Sequence, residues 1–256
     1  MLVQTTLPNG IRIFHRNSYE TDFLYREIFE RRVYFQNGIG LGPDAFVVDA
    51  GANIGLFSLF VKHELPSARI AAFEPAPELE EILHANLAPF RGSVQVFAQG
   101  LGEKDGEAEF VSYPGYSLLS GFHADPVEDR ATLEREVRRE LGIGPETGER
   151  DANLVRWLVS DKVAQASKSR RALVSLSTFL KGRRERVDLL KIDAERSEIE
   201  ILRGIGQEDW PRIRQVVLEA HGPEALAEAQ GLLRERGFRV TPEREAFLSL
   251  VYAVRA

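Results

Sequence analysis

The chain contains no cysteine, which excludes disulfides and thiolate zinc sites. It has no surplus of positive charge: 33 Lys and Arg stand against 39 Asp and Glu, a formal net charge of −6. A general nucleic-acid binder would need a basic footprint, so that class is set aside. No apolar run approaches the ~20 residues of a membrane span, and no membrane partner is expected. The beginning of the chain carries Arg12, Arg16, Glu20 and Asp22 and lacks an apolar signal core, so a cytoplasmic location is expected. What remains is a globular composition, 43% hydrophobic and 28% charged, in 256 residues. That length suits one α/β domain spanning 1–256 with no second core required.

The most informative stretch runs from Ala45 to Phe60. Ala45 to Val48 is wholly apolar and reads as a short strand buried on both faces, as in a parallel sheet. Asp49-Ala50-Gly51-Ala52-Asn53-Ile54-Gly55 turns the chain, and Leu56, Phe57, Leu59, Phe60 and Val61 continue at helical spacing. Strand, glycine turn and helix form one half of a nucleotide-binding βαβ unit. The dinucleotide fingerprint needs glycines where Asn53 and Leu56 stand, so the pattern here is D-x-G-x-N-x-G instead. An acidic residue leading the turn repels a pyrophosphate but accepts hydrogen bonds from a cationic amino-acid group. That suits S-adenosylmethionine; the bland alternative is a tight turn with no ligand. Side chains at Gly51 or Gly55 are expected to hold a ligand away from the backbone.

Other elements can be placed around this unit. Asn9-Gly10 between Val3–Leu7 and Ile11–His15 predicts a hairpin, and Thr21 to Phe29 a helix. Residues 1–44 are read as an N-terminal cap over the sheet. Ala68 to Phe73 is a second buried strand ending in Glu74-Pro75; Glu74 lies 23 positions after Gly51, close to the ~20-residue offset at which an acid meets ribose hydroxyls. A helix over Pro77–Leu87 and a strand over Ser93–Ala98 follow, the latter ending in Gln99-Gly100. Glu107 to Tyr113 alternates and is expected at the edge of the same sheet. Residues 114–171 form an insertion with a charged helix, Pro126–Leu141, whose thin seam is Val127, Leu133, Val137 and Leu141. Gly142 to Pro145 breaks it, and a weaker helix is expected over Asn153–Ala166. So polar a segment is expected to be a mobile lid without a core of its own. Leu173–Leu176, Val187–Ile192, Arg214–Leu218, Phe238–Val240 and Leu248–Val254 complete the strands, the last two as an antiparallel pair. Helices are expected over Ile199–Ile205 and Ala225–Arg236.

The apolar strands end in polar clusters: Asp49–Asn53, Glu74, Gln99-Gly100, Asp193–Glu195 and Glu219–His221. In an open α/β sheet these ends share the edge where ligands bind.

This pattern resembles the class I S-adenosylmethionine-dependent methyltransferases, and within them the FkbM family. The resemblance is carried by FVVDAGANIGLFSLF (Phe46–Phe60), AFEPAPELEEILHANL (Ala72–Leu87), DLLKIDAERSEIEILRGI (Asp188–Ile205) and VVLEAH (Val216–His221). LPNG (Leu7–Gly10), FLYREIF (Phe23–Phe29), SGFHAD (Ser120–Asp125) and DWPRIRQVV (Asp209–Val217) are similar to the branch that O-methylates macrolide polyketides. The family has glycine where this chain has Arg196, which would fit if the backbone there keeps φ below zero. The resemblance implies a Rossmann-like open sheet, mostly parallel with an antiparallel C-terminal strand, plus cap and helical lid. It implies S-adenosylmethionine as cofactor and a hydroxylated small-molecule acceptor, in a monomer or homodimer.

Candidate cofactor contacts are Asp49, Gly51, Asn53, Gly55, Glu74, Pro75, Gln99, Gly100 and Asp193. Candidate acceptor contacts are Tyr25, Ser120, Phe122, His123, Glu195 and Glu219. Asp193 and His221 are the candidate bases for taking the acceptor proton, with His221 alternatively fixing Asp193 or Glu219. Asp193, Glu195, Glu219 and His221 could hold a divalent ion, though no metal is assigned. An amine or a sugar hydroxyl as acceptor stays open. So does a non-catalytic adenosylmethionine-binding protein, against which Asp193, His221 and the long insertion count. An NAD-dependent oxidoreductase is disfavoured by Asn53 in the glycine turn.

Overall fold

The computed structural model describes residues 2–113, 115–125, 127, 129–144, 148–244 and 249–255. Pro114, Pro126, Pro145 and Leu248, used in the sequence reading, lie outside the described residues. The Asn9-Gly10 turn, with Gly10 at φ +87°, joins β1 (Val3–Thr6) to β2 (Arg12–His15) as the predicted antiparallel hairpin. Asn17 caps α1 (Ser18–Tyr25) by accepting from the Tyr19 and Glu20 N–H groups. The helix then widens into one π turn, Arg26–Glu30.

Alternation of buried strands with helices builds the main layer. In chain order it holds β3 (Phe46–Ala50), α2 (Leu56–Glu64), β4 (Arg69–Phe73), α3 (Pro77–Leu87) and β5 (Val94–Phe97). Then come β6 (Gly100–Gly102), β7 (Gly106–Ser112), α4 (Arg130–Glu140), α5 (Glu149–Gln165) and β8 (Ser167–Ser175). The chain returns through α6 (Leu176–Leu180), β9 (Leu189–Ile192), α7 (Glu198–Arg203) and β10 (Gln215–Glu219). It ends in α8 (Pro223–Glu235), β11 (Phe238–Arg244) and β12 (Ser249–Arg255). The seven-stranded sheet has the order β11-β12-β10-β9-β3-β4-β5. It is parallel except for β12, antiparallel to both neighbours.

β3 is an inner strand of this sheet, with Val48 opposite Ala71 on one side and Leu190 on the other. Successive β3 side chains point to opposite faces. Val47 enters the core beneath α2 and α3, whereas Phe46, Val48 and Ala50 enter the core beneath α6, α7 and α8. Full burial of each such aliphatic residue contributes about 1.5–3 kcal/mol, which is why a strand with no polar face is stable only here. Among the described residues no helix is long and apolar enough to cross a membrane.

Two parts of the fold differ from expectation. β7 does not extend the main sheet; it pairs antiparallel with β8 in a separate three-stranded sheet, β6-β8-β7. Opposite charges on the two strands favour this pairing modestly: Lys168 meets Glu109 at 2.7 Å and Arg170 meets Glu107 at 3.2 Å, both near the surface. The second difference is the insertion, expected to lack a core. α4 and α5 instead enclose a cluster of Val111, Tyr113, Tyr116, Leu133, Val137, Val155 and Val159. The cluster draws on aromatic residues from the end of β7 and the segment after it, so helix periodicity alone undercounts it. Of the expected seam, Leu133 and Val137 are buried, whereas Val127 is 81% and Leu141 43% exposed.

Candidate active site

The carboxyl ends of β3, β4, β9 and β10 meet at one edge, as the parallel register requires. Asp49 closes β3 and is fully buried. Its Oδ2 accepts from Ser58 Oγ at 2.8 Å, and its Oδ1 lies 3.3 Å from Lys191 Nζ. Gly51 follows at φ +76°, and a Cβ there would sit 1.7 Å from the Asp193 carbonyl oxygen. Glycine is thus required by the approach of β3 to β9. The Gly51 and Ala52 amides both donate to the Phe73 carbonyl, at 3.0 and 2.9 Å. Gly55 likewise packs against Leu83 and Leu87 of α3.

Glu74, at the end of β4, is held by two backbone amides. Asn53 N–H donates to Oε2 at 2.8 Å, and Ala76 N–H donates to Oε1 at 2.9 Å. Burial pushes its carboxyl up to about 7, against the pull of those two amides. Asn53, left-handed at φ +51°, donates from Nδ2 to Ser117 Oγ at 3.0 Å, and Ser117 donates onward to Glu20 Oε2 at 2.8 Å. Glu20 is also pushed up to about 7 by burial. This chain of hydrogen bonds joins the turn after β3 to the insertion and to α1.

Lys191 lies between the two central acids. Its Nζ donates to the Gly51 carbonyl at 2.7 Å and stands 3.5 Å from Asp193 Oδ2. The Tyr34 and Phe57 rings lie 5.5 and 5.7 Å from it. Burial alone would lower the ammonium pKa, but the Asp49 and Asp193 carboxylates outweigh it and hold Lys191 charged. Tyr34 donates its hydroxyl to Asp193 Oδ2 at 2.9 Å; burial and that carboxylate keep the phenol protonated.

Beside this lies a second cluster. His221 Nδ1 is 2.9 Å from Glu198 Oε1, and Nε2 is 3.2 Å from Glu195 Oε2 and 3.7 Å from Glu219 Oε1. Burial would lower the imidazole pKa, yet Glu195 and Glu198 drive it well above 6.5. Burial in turn raises Glu195 and, further, Glu219. Among the described residues no group of three or more acids and histidines is arranged to hold a metal ion.

A cavity of about 770 Å³, its open mouth included, lies over this edge. Of the candidate cofactor residues, Gly51, Asn53, Glu74, Pro75, Gly100 and Asp193 line it. Of the candidate acceptor residues, Ser120, Phe122 and Glu195 line it. Asp49 lies beneath the floor, and Gly55 and Gln99 lie off the lining. Tyr25 is buried and stacks on Phe29, with ring centroids 5.0 Å apart. His123 pairs with Glu200 at 3.4 Å, and His221 and Glu219 stand off the lining behind Glu195. Arg196, expected at φ below zero, is left-handed at φ +71° beside Glu195 at φ +46°.

Tyr34, Lys191, Ser117, Leu24, Ile28 and Phe110 also line the cavity and were not singled out from sequence. Lys191 left a signal, a lone lysine in the otherwise apolar end of VDLLKI. The others sit in segments without a polar cluster at a strand end.

The methyltransferase FkbM domain model matches residues 49–240. The 31-O-demethyl-FK506 methyltransferase FkbM of Streptomyces tacrolimicus is 39% identical over 93% of this chain and 90% of its own length. The AMB antimetabolite synthetase AmbE of Pseudomonas aeruginosa is 38% identical over 96% of this chain, which spans 12% of that protein. A solved precorrin-6y C5,15-methyltransferase of Geobacter metallireducens aligns at 15% identity and TM-score 0.47, covering 89% of this chain and 88% of the other. With the family model matched over residues 49–240, the chain belongs to the FkbM family of methyltransferases.

Proposed function

We propose that the protein transfers the methyl group of S-adenosylmethionine to a hydroxyl oxygen of an uncharged, largely apolar small molecule of the polyketide kind. The observation that carries this reading is the charge of the cavity. Glu74, Asp193 and Glu195 line it, and among the described lining residues the one cation, Lys191, is already engaged by Asp49 and Asp193. An anionic acceptor would meet three carboxyl groups and, among the described lining residues, no cation free to receive it, whereas a neutral one would meet Leu24, Ile28, Phe110, Leu118 and Phe122. The name of the Streptomyces relative, a methyltransferase of a demethylated FK506, supports a hydroxylated macrolide.

The residues present fit the cofactor. Each Glu74 oxygen accepts one backbone N–H and keeps a lone pair for a ribose hydroxyl. S-Adenosylmethionine, when bound, supplies a methyl group on a sulfonium centre. The protein aligns the acceptor oxygen, excludes water with the apolar lining and accepts a proton. We assign the proton to Glu195. It lines the cavity, and burial raises its pKa, which makes it a better base than an ordinary carboxylate. Asp193, with Oδ2 already accepting from Tyr34 and facing Lys191, orients acceptor or cofactor. His221, protonated between Glu195 and Glu198, fixes Glu195 from behind.

The test is incubation with S-adenosylmethionine and either 31-O-demethyl-FK506 or acceptors carrying hydroxyl, carboxylate or amine groups, read by mass spectrometry. Methylation of neutral hydroxylated acceptors and none of carboxylates supports the proposal. Faster transfer to an amine, which the same carboxylates would also attract, replaces it with N-methylation.

A further inference from the structure

Arg196 adopts a backbone conformation that a side chain disfavours, next to a second left-handed residue, Glu195. Such a pair persists only where surrounding contacts over-determine it. The contacts are specific. The Arg196 N–H donates to Glu198 Oε1 at 3.0 Å, so the backbone is pinned from α7. The guanidinium reaches the other way, into the helical insertion. It meets Asp129 Oδ1 at 2.7 Å, and its other terminal nitrogen donates to the His123 carbonyl at 3.4 Å.

Asp129 makes this tie more than a surface ion pair. It is 1% exposed, whereas the arginine is 37% exposed. Its Oδ2 accepts from the Tyr113 hydroxyl at 2.9 Å and from the Asp125 N–H at 2.8 Å. Among the described residues Arg196 is the cation that balances it. A buried carboxylate stripped of its cation is strongly unfavourable, so the guanidinium fixes where the start of α4 can sit. The segment between these anchors carries Ser120 and Phe122, both on the cavity lining. That segment approaches the loop closely: a Cβ on Gly121 would lie 3.0 Å from the Glu195 carbonyl oxygen.

We infer that Arg196 is a positioning residue: it ties the insertion to the loop bearing Asp193 and Glu195, and so holds the Ser120–Phe122 roof over the acceptor end of the cavity. The inference rests on reading that cavity as the methyl-transfer site. It separates two duties of the cavity, because among the described residues no hydrogen bond or ion pair joins Arg196 to Gly51, Asn53 or Glu74.

The test uses the full chain with Arg196→Gly, Arg196→Lys, Asp129→Asn and the Gly/Asn double variant. Hydrogen exchange is followed over 120–125 and 129–140, and S-adenosylhomocysteine binding by calorimetry. Arg196→Gly and Asp129→Asn should each raise exchange there by roughly 10–100-fold, the double variant no further than the larger single effect, since one charge-assisted contact is removed in all three. Arg196→Lys should keep most of the protection, and S-adenosylhomocysteine affinity should stay within about twofold throughout. Relief of the left-handed strain alone would make the glycine variant more stable with unchanged exchange in the insertion; that result overturns the inference. So would additive single effects, a lysine variant as loose as the glycine one, or lost affinity for S-adenosylhomocysteine in the variants. Absence of S-adenosylhomocysteine binding in the unmutated protein would count instead against the cofactor reading, with exchange still deciding the role of Arg196.

Discussion

Glu195 Oε2 lies 3.2 Å from His221 Nε2, and Glu198 Oε1 lies 2.9 Å from the other ring nitrogen. An imidazole so placed donates from both nitrogens and has no free lone pair to take a proton from an acceptor. The pH consequence follows from the raised His221 pKa. A histidine raised on folding contributes stability that is fully present below 6.5 and is lost as pH climbs through its higher folded value. His221→Ala should therefore lose most stability, relative to the parent, at and below neutral pH. Thermal unfolding from pH 6 to 10 checks this. A constant deficit across that range would mean that His221 is not held protonated.

Glu74 gives a prediction with the opposite chemistry. Its carboxyl is raised to about 7, so its burial favours folding below 4.5 and stops doing so as pH rises through 7. Glu20 adds a contribution of the same sign in the same window. Replacing either by Gln should flatten the fall in stability between pH 4.5 and 7 in the ligand-free protein. A ribose is bound best by the ionised carboxylate, so S-adenosylhomocysteine binding near pH 6.5 should release a proton. Calorimetry in two buffers of different ionisation enthalpy reads that proton, and Glu74→Gln should abolish it. Glu74→Ala should weaken binding by about 1–3 kcal/mol.

Lys191 balances Asp49 and Asp193 in a buried site. Lys191→Met leaves both acids without their cation and should destabilise the protein by about 3–5 kcal/mol. Adding Asp193→Asn should restore part of the loss, because one uncompensated charge is then gone. Denaturant unfolding of Lys191→Met, Asp193→Asn and the double variant measures the coupling. Simple additivity would show that the ammonium does not serve Asp193.

The insertion has a core, and the core should be felt locally. Leu133, fully buried in the α4–α5 cluster, when changed to Ala should cost about 2–5 kcal/mol of that cluster. Amide exchange should rise in α4 and α5 and stay unchanged in β3, β4 and β9. Equal loosening of the central sheet would make the insertion and the main domain a single cooperative unit.

The central layer was legible in the sequence for a physical reason. Fully buried strands must be apolar throughout, and glycine, proline and acids mark their ends, so β3, β4 and β9 stand out; Pro77 at the first turn fixed the start of α3. The partner of β7 was not legible, because alternation says which face is buried and nothing about which edge it joins. Its partner β8 is far away in the chain. In the site, the strand-end acids were visible, as was their common edge. What they do to one another was not. Tyr34 reaches Asp193 from the N-terminal cap, and the pinning of His221 by Glu198 depends on the left-handed backbone at Glu195 and Arg196. A residue type carries no sign of either.

The assignment of the base is checked by comparing methyl-transfer rates of Glu195→Gln, Asp193→Asn and His221→Ala across pH. Glu195→Gln should lower the rate by roughly 10²–10⁴-fold and remove its acid limb. A Glu195→Gln enzyme with the parent's rate and profile would return the role to Asp193.

The most direct measurement is the position of the transferred methyl group. The protein is incubated with S-adenosylmethionine and a panel of macrolides each lacking one O-methyl group, and the product is read by mass spectrometry and NMR. The charge and lining of the cavity predict a single new methyl on a neutral hydroxyl oxygen, formed roughly 10²–10⁴-fold more slowly by Glu195→Gln and only at higher S-adenosylmethionine by Glu74→Ala. A methyl group on nitrogen or carbon, or a parent-like rate and S-adenosylmethionine dependence in both variants, would contradict the account.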